Sequence, residues 1–580
     1  MDSTVDNQQQ SAKELIEVAI QLKRQGSIKK AINLAQQAIE LNPDYYKSYY
    51  HLGTFLISDR NFNSAEQAFN DALKLNPNFS WSYHGLSQIF YLQNKLDAAI
   101  ESSKKAIALK PDVKGYYRHL GIVLNQKGNL DEAAEVYQKA IAIDSKFAIA
   151  RFELGNVLRQ QQKLDRALVQ YQTASELGYN SHELYGGLGS IYLFKKDWQS
   201  AAEFCRKAIK LKGNFPWYYY DLGYSLHQQG KVKQAVSNYA KALQIDPGFA
   251  PAYHQLMFSK LEPQQLNEVV AAFKYNIQQQ PNASWLYTRL GDLLSKQGQL
   301  PEAIEAYKNA TYKLNLWQKP EYTQKYWQKG QLQGPNFIII GAMKAGTTSL
   351  YEYINQHPQA LPCAQKEVHF FVHHLEKGLD WYLSHFPPIS SDAKFVTGEA
   401  SPGYLCNTVQ QEVKASFPQI KLIAVLRNPV ERAISHYYHN VKHGIEKRSF
   451  EAAMNDEIEA IALLPDINLV KETKNWSQQQ GYLFTGLYVY FLQKWLSVFD
   501  RQQLLVIKSE DLYQKSQATM KNVFDFLELP AFTSDKYTNH LPGSYKKLDS
   551  NDPKYQLIAD VFQVHNRRLS DYLQQPFTWL

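Results

Sequence analysis

Cysteine is scarce in this chain: three residues in 580, far apart and odd in number. This scarcity excludes a disulfide scaffold and a CxxC metal site, and it fits a reducing compartment. Long apolar runs are missing as well, because no stretch reaches the roughly 18 residues of a membrane span. The polar, acidic start of the chain predicts no signal peptide. We therefore expect a cytoplasmic protein without a membrane span.

Charge of one sign is not concentrated anywhere in the chain. Residues 1–335 hold 39 Lys and Arg against 30 Asp and Glu, and residues 336–580 hold 24 against 25. A nucleic-acid binder more often shows a concentrated basic stripe, so we expect no nucleic-acid partner. Apolar residues make up 44% of the chain, which is enough to build packed cores. The length predicts two or more domains.

A leucine recurs every 34 residues in the first part, without insertion or deletion. Glycine follows most of these leucines, and alanine stands thirteen and twenty residues after nearly all of them. Small residues let paired helices approach closely, and this period resembles the tetratricopeptide repeat. It predicts an α-solenoid of about nine repeats over residues 1–310, then a capping segment and linker over 311–335. The anchors are Leu52, Leu86, Leu120, Leu154, Leu188, Leu222, Leu256 and Leu290.

Aromatic clusters precede many of these leucines. They include Tyr45-Tyr46, Trp81, Tyr116-Tyr117 and residues 217–220. Solenoids present concave surfaces, so the clusters favour a groove that holds an extended peptide of a protein partner. The alternative is that these rings belong to the core between repeats.

The second part alternates short apolar runs with helical patterns. Residues 336–340, 421–426 and 503–507 read as buried strands, 394–397 as a weaker one, and residues 347–356 and 430–440 as helices. This alternation predicts an α/β domain over residues 336–580 with a central parallel sheet. In such sheets ligands bind at the carboxyl ends of the strands. The expected fold class is therefore an α-solenoid followed by a P-loop-like α/β domain.

A glycine-containing loop lies between the first strand and its helix. It reads Gly341-Ala-Met-Lys344-Ala-Gly346-Thr347-Thr348. Glycines let backbone N–H groups curl around an anion, and the helix N-terminus adds partial positive charge. A Walker loop would need lysine where Thr347 stands, whereas here the lysine is Lys344. The pattern predicts a phosphate cradle formed by Lys344, Ala345, Gly346, Thr347, Thr348 and Ser349, with a purely structural turn as the alternative.

A second motif follows the strand of residues 421–426. Arg427 ends the strand, Asn428 is a good helix N-cap, and Glu431 suggests a capping-box-like arrangement. A guanidinium at a strand end is able to clamp a phosphate by two hydrogen bonds. A structural salt bridge is an equal alternative for Arg427. For Ser435, two turns into the helix, the alternative is a hydrogen bond to the preceding turn.

Together the two motifs resemble the paired nucleotide-binding signatures of sulfotransferases that use 3′-phosphoadenosine 5′-phosphosulfate (PAPS). The resemblance covers residues 336–580. It implies that residues 344–348 grip the 5′-phosphosulfate and that Arg427 and Ser435 grip the 3′-phosphate. It also implies PAPS as the donor and no metal.

Residues 366–371, Lys-Glu-Val-His-Phe-Phe, are similar to the K-E-x-H-F-F segment of heparan-sulfate-type carbohydrate sulfotransferases. This resemblance implies that Glu367 is the general base and that the acceptor is a saccharide. Lys344 would stabilise charge on the departing nucleotide, and Lys366 and His369 would steady the sulfonate or the acceptor. Without the resemblance, Lys366 and Glu367 would read as a surface ion pair.

Further segments resemble the same family. Residues 398–404 are similar to its E-K-S-P-x-Y loop, but Ala400 stands where relatives carry lysine. Tyr545 and Lys546 lie where the family closes a loop over the 3′-phosphate, with a solvated loop as the alternative. A metal site at His369 and His373 is disfavoured, because no acidic or cysteine ligand completes it by spacing.

The sequence therefore predicts a sulfotransferase that moves a sulfuryl group from PAPS to a hydroxyl, with a saccharide favoured. The repeats would recruit a protein partner or the acceptor. One alternative is sulfation of tyrosine in a peptide held by the repeat groove. A non-catalytic repeat scaffold and a kinase-like phosphoryl transferase are further alternatives, the latter disfavoured by the displaced lysine.

Overall fold

The computed structural model describes residues 2–258, 261–390, 394–462, 481–537 and 548–579. These residues form two compact units, Met1–Phe258 and Ser259–Leu580. Within the described ranges we find no helix with the length and apolar character to cross a bilayer.

The first unit is built from helices that pack in consecutive pairs, as the 34-residue period predicts. Most are 13 or 14 residues long, the length expected of half a repeat. The helices are α1 (Asp2–Arg24), α2 (Ile28–Leu41), α3 (Tyr46–Ser58), α4 (Phe62–Leu75), α5 (Ser80–Leu92), α6 (Leu96–Leu109), α7 (Lys114–Lys127), α8 (Leu130–Ile143), α9 (Ala148–Gln160), α10 (Leu164–Glu176), α11 (His182–Phe194), α12 (Trp198–Leu211), α13 (Pro216–Gln228), α14 (Val232–Ile245) and α15 (Ala250–Phe258).

Most of the glycines that follow an anchor leucine make room for an aromatic ring of the following helix. A Cβ at Gly121 would lie 2.6 Å from the ring of Tyr137, and one at Gly223 would lie 2.7 Å from the ring of Tyr239. Both tyrosines are buried. The predicted close packing of paired helices is therefore confirmed. It occurs because the tyrosine ring of one helix packs directly against the glycine backbone of the other.

The aromatic clusters divide between the two roles that the sequence left open. Tyr116 and Tyr218 are buried and belong to the core between repeats. Trp81 and Trp217 stay 37% and 47% exposed. The remaining tyrosines of these clusters, Tyr45, Tyr46, Tyr117, Tyr219 and Tyr220, are half-buried, so the two tryptophans are their most exposed rings.

The second unit begins with four helices and continues into a parallel sheet. The four helices are α16 (Pro263–Gln279), α17 (Ser284–Lys296), α18 (Leu300–Gln318) and α19 (Pro320–Tyr326). The strands are β1 (Phe337–Gly341), β2 (Ala360–Leu361), β3 (Val396–Ala400), β4 (Lys421–Leu426) and β5 (Leu504–Lys508). They are parallel in the order β2-β3-β1-β4-β5, which confirms the predicted α/β fold.

Helices connect and flank these strands. They are α20 (Thr347–Asn355), α21 (Leu379–Leu383), α22 (Gln410–Ser416), α23 (Pro429–Lys442), α24 (Phe450–Ala462), α25 (Tyr488–Leu496), α26 (Ser509–Gln514), α27 (Ser516–Phe526) and α28 (Pro553–Leu573). The weaker strand predicted at 394–397 is β3, a few residues later than expected. Strand β1 lies at the centre of the sheet and is buried throughout.

Helices α17 and α18 pack against the α/β part of their own unit. The indole Nε1 of Trp381 donates a hydrogen bond of 2.7 Å to Ser295 Oγ. The ring of Tyr307 packs edge-on against Trp381, with centroids 5.5 Å apart. Asn315 Nδ2 donates to the Pro362 carbonyl at 2.9 Å. These contacts are buried, so the last repeat helices form part of the core beside the sheet.

The segment predicted as cap and linker is helical over much of its length. Helix α18 continues to Gln318, because Thr311 and Asn315 are buried against the α/β part and not exposed to solvent. Lys319 then donates hydrogen bonds to the Asn355 and His357 carbonyls at 2.9 and 2.7 Å, at the end of α20. A cation there satisfies carbonyls that the helix leaves free. Burial lowers the pKa of Lys319 to about 8.

We expect Gly121→Ala to destabilise the first unit, since its Cβ would enter the ring of Tyr137. Overpacking of this kind costs about 1–3 kcal/mol. Gly115→Ala is the matched control, because Gly115 also lies in α7 and has nothing within 4 Å of its Cβ position. The control should be neutral or stabilise by about 0.5–1 kcal/mol. Urea unfolding measures both, and equal midpoints for the two variants would contradict the packing role.

We also expect a chain of residues 259–580 to be more stable than one of residues 336–580. The shorter chain loses Ser295 and Tyr307, the buried partners of Trp381. The loss of one buried hydrogen bond and one aromatic contact is about 3 kcal/mol. That corresponds to a fall in Tm of about 6–12 °C. Calorimetry checks this, and identical transitions in both chains would show that α16–α18 do not support the α/β part.

Candidate active site

The loop after β1 has the curl that its glycines predict. Lys344 and Gly346 adopt left-handed backbone angles, with φ of 65° and 101°. A Cβ at Gly346 would lie 2.7 Å from the Tyr513 hydroxyl, so the position requires glycine on two grounds. Helix α20 starts at Thr347, directly after the curl. Its first N–H groups have no partner within the helix and favour an anion.

Buried contacts hold the start of α20 in place. Ala345, Thr347 and Ser349 are buried. The hydroxyl of Tyr513, near the end of α26, donates to Ser349 Oγ at 3.2 Å. Ser349 therefore supports the predicted cradle from within, whereas Lys344 and Thr348 are the loop residues with polar contacts across the site.

The second motif lies beside this loop. The Ala342 N–H donates to the Val425 carbonyl at 2.7 Å and joins the ends of β1 and β4. Arg427 Nη1 then donates to the Lys344 carbonyl at 3.3 Å, although the residues are 83 positions apart. Burial, and next the charge of Arg427, lower the pKa of Lys344. The Lys344 ammonium and the Arg427 guanidinium thus lie at the same edge of the sheet. A ligand with two anionic groups would pair with both.

Only half of the predicted capping box at Asn428 forms: the Asn428 cap is present, but the hydrogen bond from the Asn428 N–H to Glu431 is not. Asn428 does cap α23, since its Oδ1 accepts from the Val430 and Glu431 N–H groups. The Glu431 carboxylate, however, accepts from Arg427 Nη2 at 3.0 Å. The Asn428 N–H donates to Glu510 Oε1 at 3.0 Å instead. An arginine one turn before Glu431 offers a stronger, charge-assisted hydrogen bond than a backbone N–H does.

Ser435 lies two turns into α23 and is buried. Further along the same helix, His439 Nδ1 lies 3.3 Å from the Lys344 ammonium. Helix α23 begins two residues after Arg427 and passes the loop after β1, where His439 contacts Lys344. Ser435 lies on the same helix between these two points.

The predicted base belongs to a short polar network at the loop. The Lys366 ammonium lies 2.6 Å from Glu367 Oε1 and also donates to Thr348 Oγ1 at 2.6 Å. His369 Nε2 lies 3.3 Å from Glu367 Oε2. The predicted ion pair exists, and it is attached to the cradle and not to the bulk surface. The Glu367 side chain keeps 39% exposure, which leaves it accessible to an acceptor.

Several forces act on the proton affinity of Glu367. Burial alone opposes its ionisation, but the hydrogen bond from His369 and the charge of Lys366 outweigh burial. Together they lower its pKa to about 2. The carboxylate is therefore ionised across the neutral range and is able to accept a proton.

Glu399, at the end of β3, organises the segment that carries these residues, and sequence reasoning did not assign it a role. It is fully buried, and burial raises its pKa. Its two oxygens accept hydrogen bonds from the Tyr382 hydroxyl at 2.6 Å, the Tyr404 hydroxyl at 3.2 Å, Ser401 Oγ at 2.5 Å and the Val368 N–H at 3.1 Å. Four donors on one buried carboxyl fix the backbone beside Glu367.

Ala400 continues this support through its backbone. Its N–H donates to the Lys366 carbonyl at 2.8 Å, and its side chain is fully buried.

The rings of His369 and His373 lie 6.0 Å apart. The described residues contain no group of three or more His, Cys, Asp or Glu side chains placed to hold a metal ion. Tyr545 and Lys546 lie outside the described residues, and their predicted role over the 3′-phosphate stays a prediction.

Comparison with known proteins gives matches in both parts of the chain. Residues 334–557 match the family model described as a sulfotransferase domain. Tetratricopeptide repeat models match residues 22–88, 82–113, 121–160, 152–216, 216–249 and 286–312.

Among curated proteins, the membrane-associated sulfotransferase kil1 of Dictyostelium discoideum is 27% identical over 42% of this chain and 66% of its own length. The bifunctional heparan sulfate N-deacetylase/N-sulfotransferase 2 of Homo sapiens is 29% identical over 46% of this chain and 33% of its own length. The chain thus spans less than two thirds of these relatives.

Among solved structures, a sulfotransferase from Alicyclobacillus acidocaldarius is 26% identical, covers 42% of this chain and 98% of its own, and has a TM-score of 0.35. The repeat period, the parallel sheet and the matched family models lead to the same description. The chain carries tetratricopeptide repeats in its N-terminal part and a sulfotransferase domain in its C-terminal part.

Proposed function

We propose that this protein transfers a sulfuryl group from PAPS to a hydroxyl of a saccharide acceptor. The observation that carries the proposal is the meeting of three motifs at one edge of the sheet. Arg427 contacts the Lys344 loop, and Lys366 joins that loop to Glu367. The sulfotransferase domain match and the N-sulfotransferase relatives support a saccharide as the acceptor.

The donor carries anionic groups at both its 5′ and 3′ positions, and the site offers a cation for each. The loop of residues 344–349 and the start of α20 suit the 5′-phosphosulfate. Arg427 and Ser435 suit the 3′-phosphate. A guanidinium has five N–H donors, and the contacts of Arg427 with Glu431 and the Lys344 carbonyl use two of them. Donors therefore remain for a phosphate.

The reaction needs a base on one side of the sulfur and a cation on the other. The acceptor oxygen attacks sulfur and forms the new S–O bond while Glu367 takes its proton. The bond from sulfur to the bridging oxygen breaks, and adenosine 3′,5′-bisphosphate leaves. Lys344 stabilises the charge that grows on the departing phosphate. Every atom is accounted for without a metal.

The network around Glu367 also links donor binding to base strength. A carboxylate with a pKa of about 2 is a weak base at neutral pH. Lys366 is shared between Glu367 and Thr348, so a sulfonate bound at the loop competes for the same ammonium. Withdrawal of that ammonium weakens its hold on Glu367 and raises the proton affinity of the carboxylate.

The repeats are proposed to recruit a protein partner or the acceptor, and the protein is proposed to act in the cytoplasm. The exposed Trp81 and Trp217 support a binding role for the repeats, because tryptophan is enriched where proteins meet partners. They also favour the second candidate function, in which the acceptor hydroxyl belongs to a tyrosine of a bound peptide.

We expect the wild-type chain to bind adenosine 3′,5′-bisphosphate more tightly than AMP, since only the bisphosphate reaches Arg427. Arg427→Ala should weaken binding of the bisphosphate about 10- to 100-fold, the cost of a lost charged hydrogen bond. It should leave AMP binding nearly unchanged. Calorimetric titration measures these affinities. Tight, Mg²⁺-dependent binding of ATP in place of the bisphosphate would favour a phosphoryl transferase.

We expect Glu367→Gln to lower turnover by about 10²- to 10⁴-fold, the usual contribution of a general base. Binding of the bisphosphate should stay within about threefold, because the carboxylate does not hold the nucleotide. Radiolabelled sulfate transfer from PAPS measures turnover. Glu376→Gln is the control, an exposed carboxyl in the same stretch of chain.

The pH dependence gives a second readout on the same residue. A base must be ionised, so activity through Glu367 falls only as the pH drops through its pKa of about 2. The kcat/KM profile, which reports the free enzyme, should therefore show no acidic limb from this residue above about pH 3. Retained turnover in Glu367→Gln would remove Glu367 as the base.

A further inference from the structure

The chain turns back on itself after α28. Gln574 adopts a left-handed backbone angle, with φ of 52°, and ends the helix. Residues 574–579, which we name the return segment, then run back along the helix. The Phe577 N–H donates to Ser570 Oγ at 3.0 Å, and the ring of Phe577 lies 4.7 Å from that of Trp579. Phe577 is buried, so the return segment is packed and not splayed into solvent.

Trp579 closes a ring of hydrogen bonds around Asn428, the residue after Arg427. Its main-chain carbonyl accepts from Asn428 Nδ2 at 3.1 Å. Its indole Nε1 donates to Glu510 Oε2 at 3.1 Å. The other oxygen of Glu510 accepts the Asn428 N–H at 3.0 Å. Each of the three residues therefore holds the other two.

This ring acts on the peptide that carries Arg427. The Asn428 N–H belongs to the peptide bond that follows Arg427, and the carbonyl of that same bond accepts from the Tyr488 hydroxyl at 2.9 Å. The ring of Trp579 packs against Tyr488, with centroids 6.1 Å apart. Trp579 thus contacts Glu510, the partner of the peptide N–H, and Tyr488, the partner of the peptide carbonyl. It acts on Arg427 only through these two residues and Asn428.

The side chain of Arg427 starts from this fixed peptide. Its guanidinium reaches Glu431 on one side and the Lys344 carbonyl on the other. Asn428 also caps α23, which carries Ser435. The return segment, more than 140 residues away in sequence, therefore bears on both groups proposed to hold the 3′-phosphate.

We propose that Trp579 is a positioning residue for Arg427, so that the return segment sets how strongly the site recognises the donor's 3′-phosphate. The inference rests on the proposed function. Recognition of a phosphate by a guanidinium depends on the direction of its N–H groups, and a shift of about 1 Å in the supporting backbone weakens it. The 5′ end of the nucleotide is proposed to bind the loop after β1, which Arg427 touches through one hydrogen bond to the Lys344 carbonyl, so we expect its binding to change less.

The test uses the full chain with Trp579→Phe, which removes the indole N–H and keeps an aromatic ring and the main-chain carbonyl. Titration calorimetry measures affinity for adenosine 3′,5′-bisphosphate and for AMP, which lacks the 3′-phosphate. We expect the preference for the bisphosphate over AMP to fall about 3- to 10-fold, less than for Arg427→Ala, because the guanidinium stays and only one hydrogen bond that supports its peptide is lost. Affinity for AMP should fall less than affinity for the bisphosphate. Trp317→Phe is the matched control, because Trp317 is 77% exposed in the same unit.

Glu510→Gln supplies a second variant that disturbs the same ring from its other side. It should lower the same preference in the same direction, and calorimetric melting shows whether each variant is folded. If the wild type prefers the bisphosphate and both variants keep that preference within twofold, the inference is overturned while the proposed function stands. An equal loss of both ligands would also overturn it, because that is the result of a merely structural role. If the wild type shows no preference for the bisphosphate, the proposed function fails first.

Discussion

The parallel pairing of β1 with β4 is the constraint on which the site depends. Parallel neighbours end at the same edge of a sheet, so whatever follows each strand meets there. Gly341 and Ala424 are partners at the end of this pairing, and the chain then leaves β1 into the loop and β4 into Arg427. Antiparallel pairing would put these two segments at opposite edges. The 83 positions between Lys344 and Arg427 are bridged by this one register.

A second constraint is the buried carboxyl of Glu399 on the opposite neighbour of β1. Strand β3 pairs with β1, and Glu399 stands across from Ile338. Because the carboxyl is fully buried, every hydrogen bond it lacks would leave a costly unsatisfied oxygen. Its donors come from three different stretches of chain, including the Val368 N–H beside Glu367. The burial of one polar group thus ties the proposed base to the sheet.

The repeat architecture could be predicted from the sequence because its cause is local. A leucine, a glycine and two alanines at constant spacing describe one helix pair, and each pair packs on the next in the same way. The division of the array between the two units could not be predicted. Thr311 and Asn315 look like ordinary polar residues after the period stops, and only their burial against the α/β part explains why α18 continues.

The candidate site shows the same contrast between local and distant causes. The phosphate loop and the Arg427 motif are contiguous, so their residue types reveal them. Strand β2 is two residues long and gives no alternation to detect. The true partner of the Asn428 N–H is Glu510, 82 positions away, and no spacing rule favours it over Glu431. Sequence reasoning chose Glu431 because capping rules are local, whereas the sheet brings β5 and its following helix beside β4.

The shared ammonium of Lys366 explains how one small network is able to serve two steps. It holds Thr348 of the loop and Glu367 of the neighbouring segment at the same distance, 2.6 Å. It neutralises Glu367, and a partly buried carboxylate without a paired cation would destabilise the fold. Under the proposed function, an anion bound in the loop competes for that ammonium, so donor binding would raise the proton affinity of Glu367. The proposal thus gives one cation two roles: it neutralises Glu367, and it would couple donor binding to the strength of the proposed base.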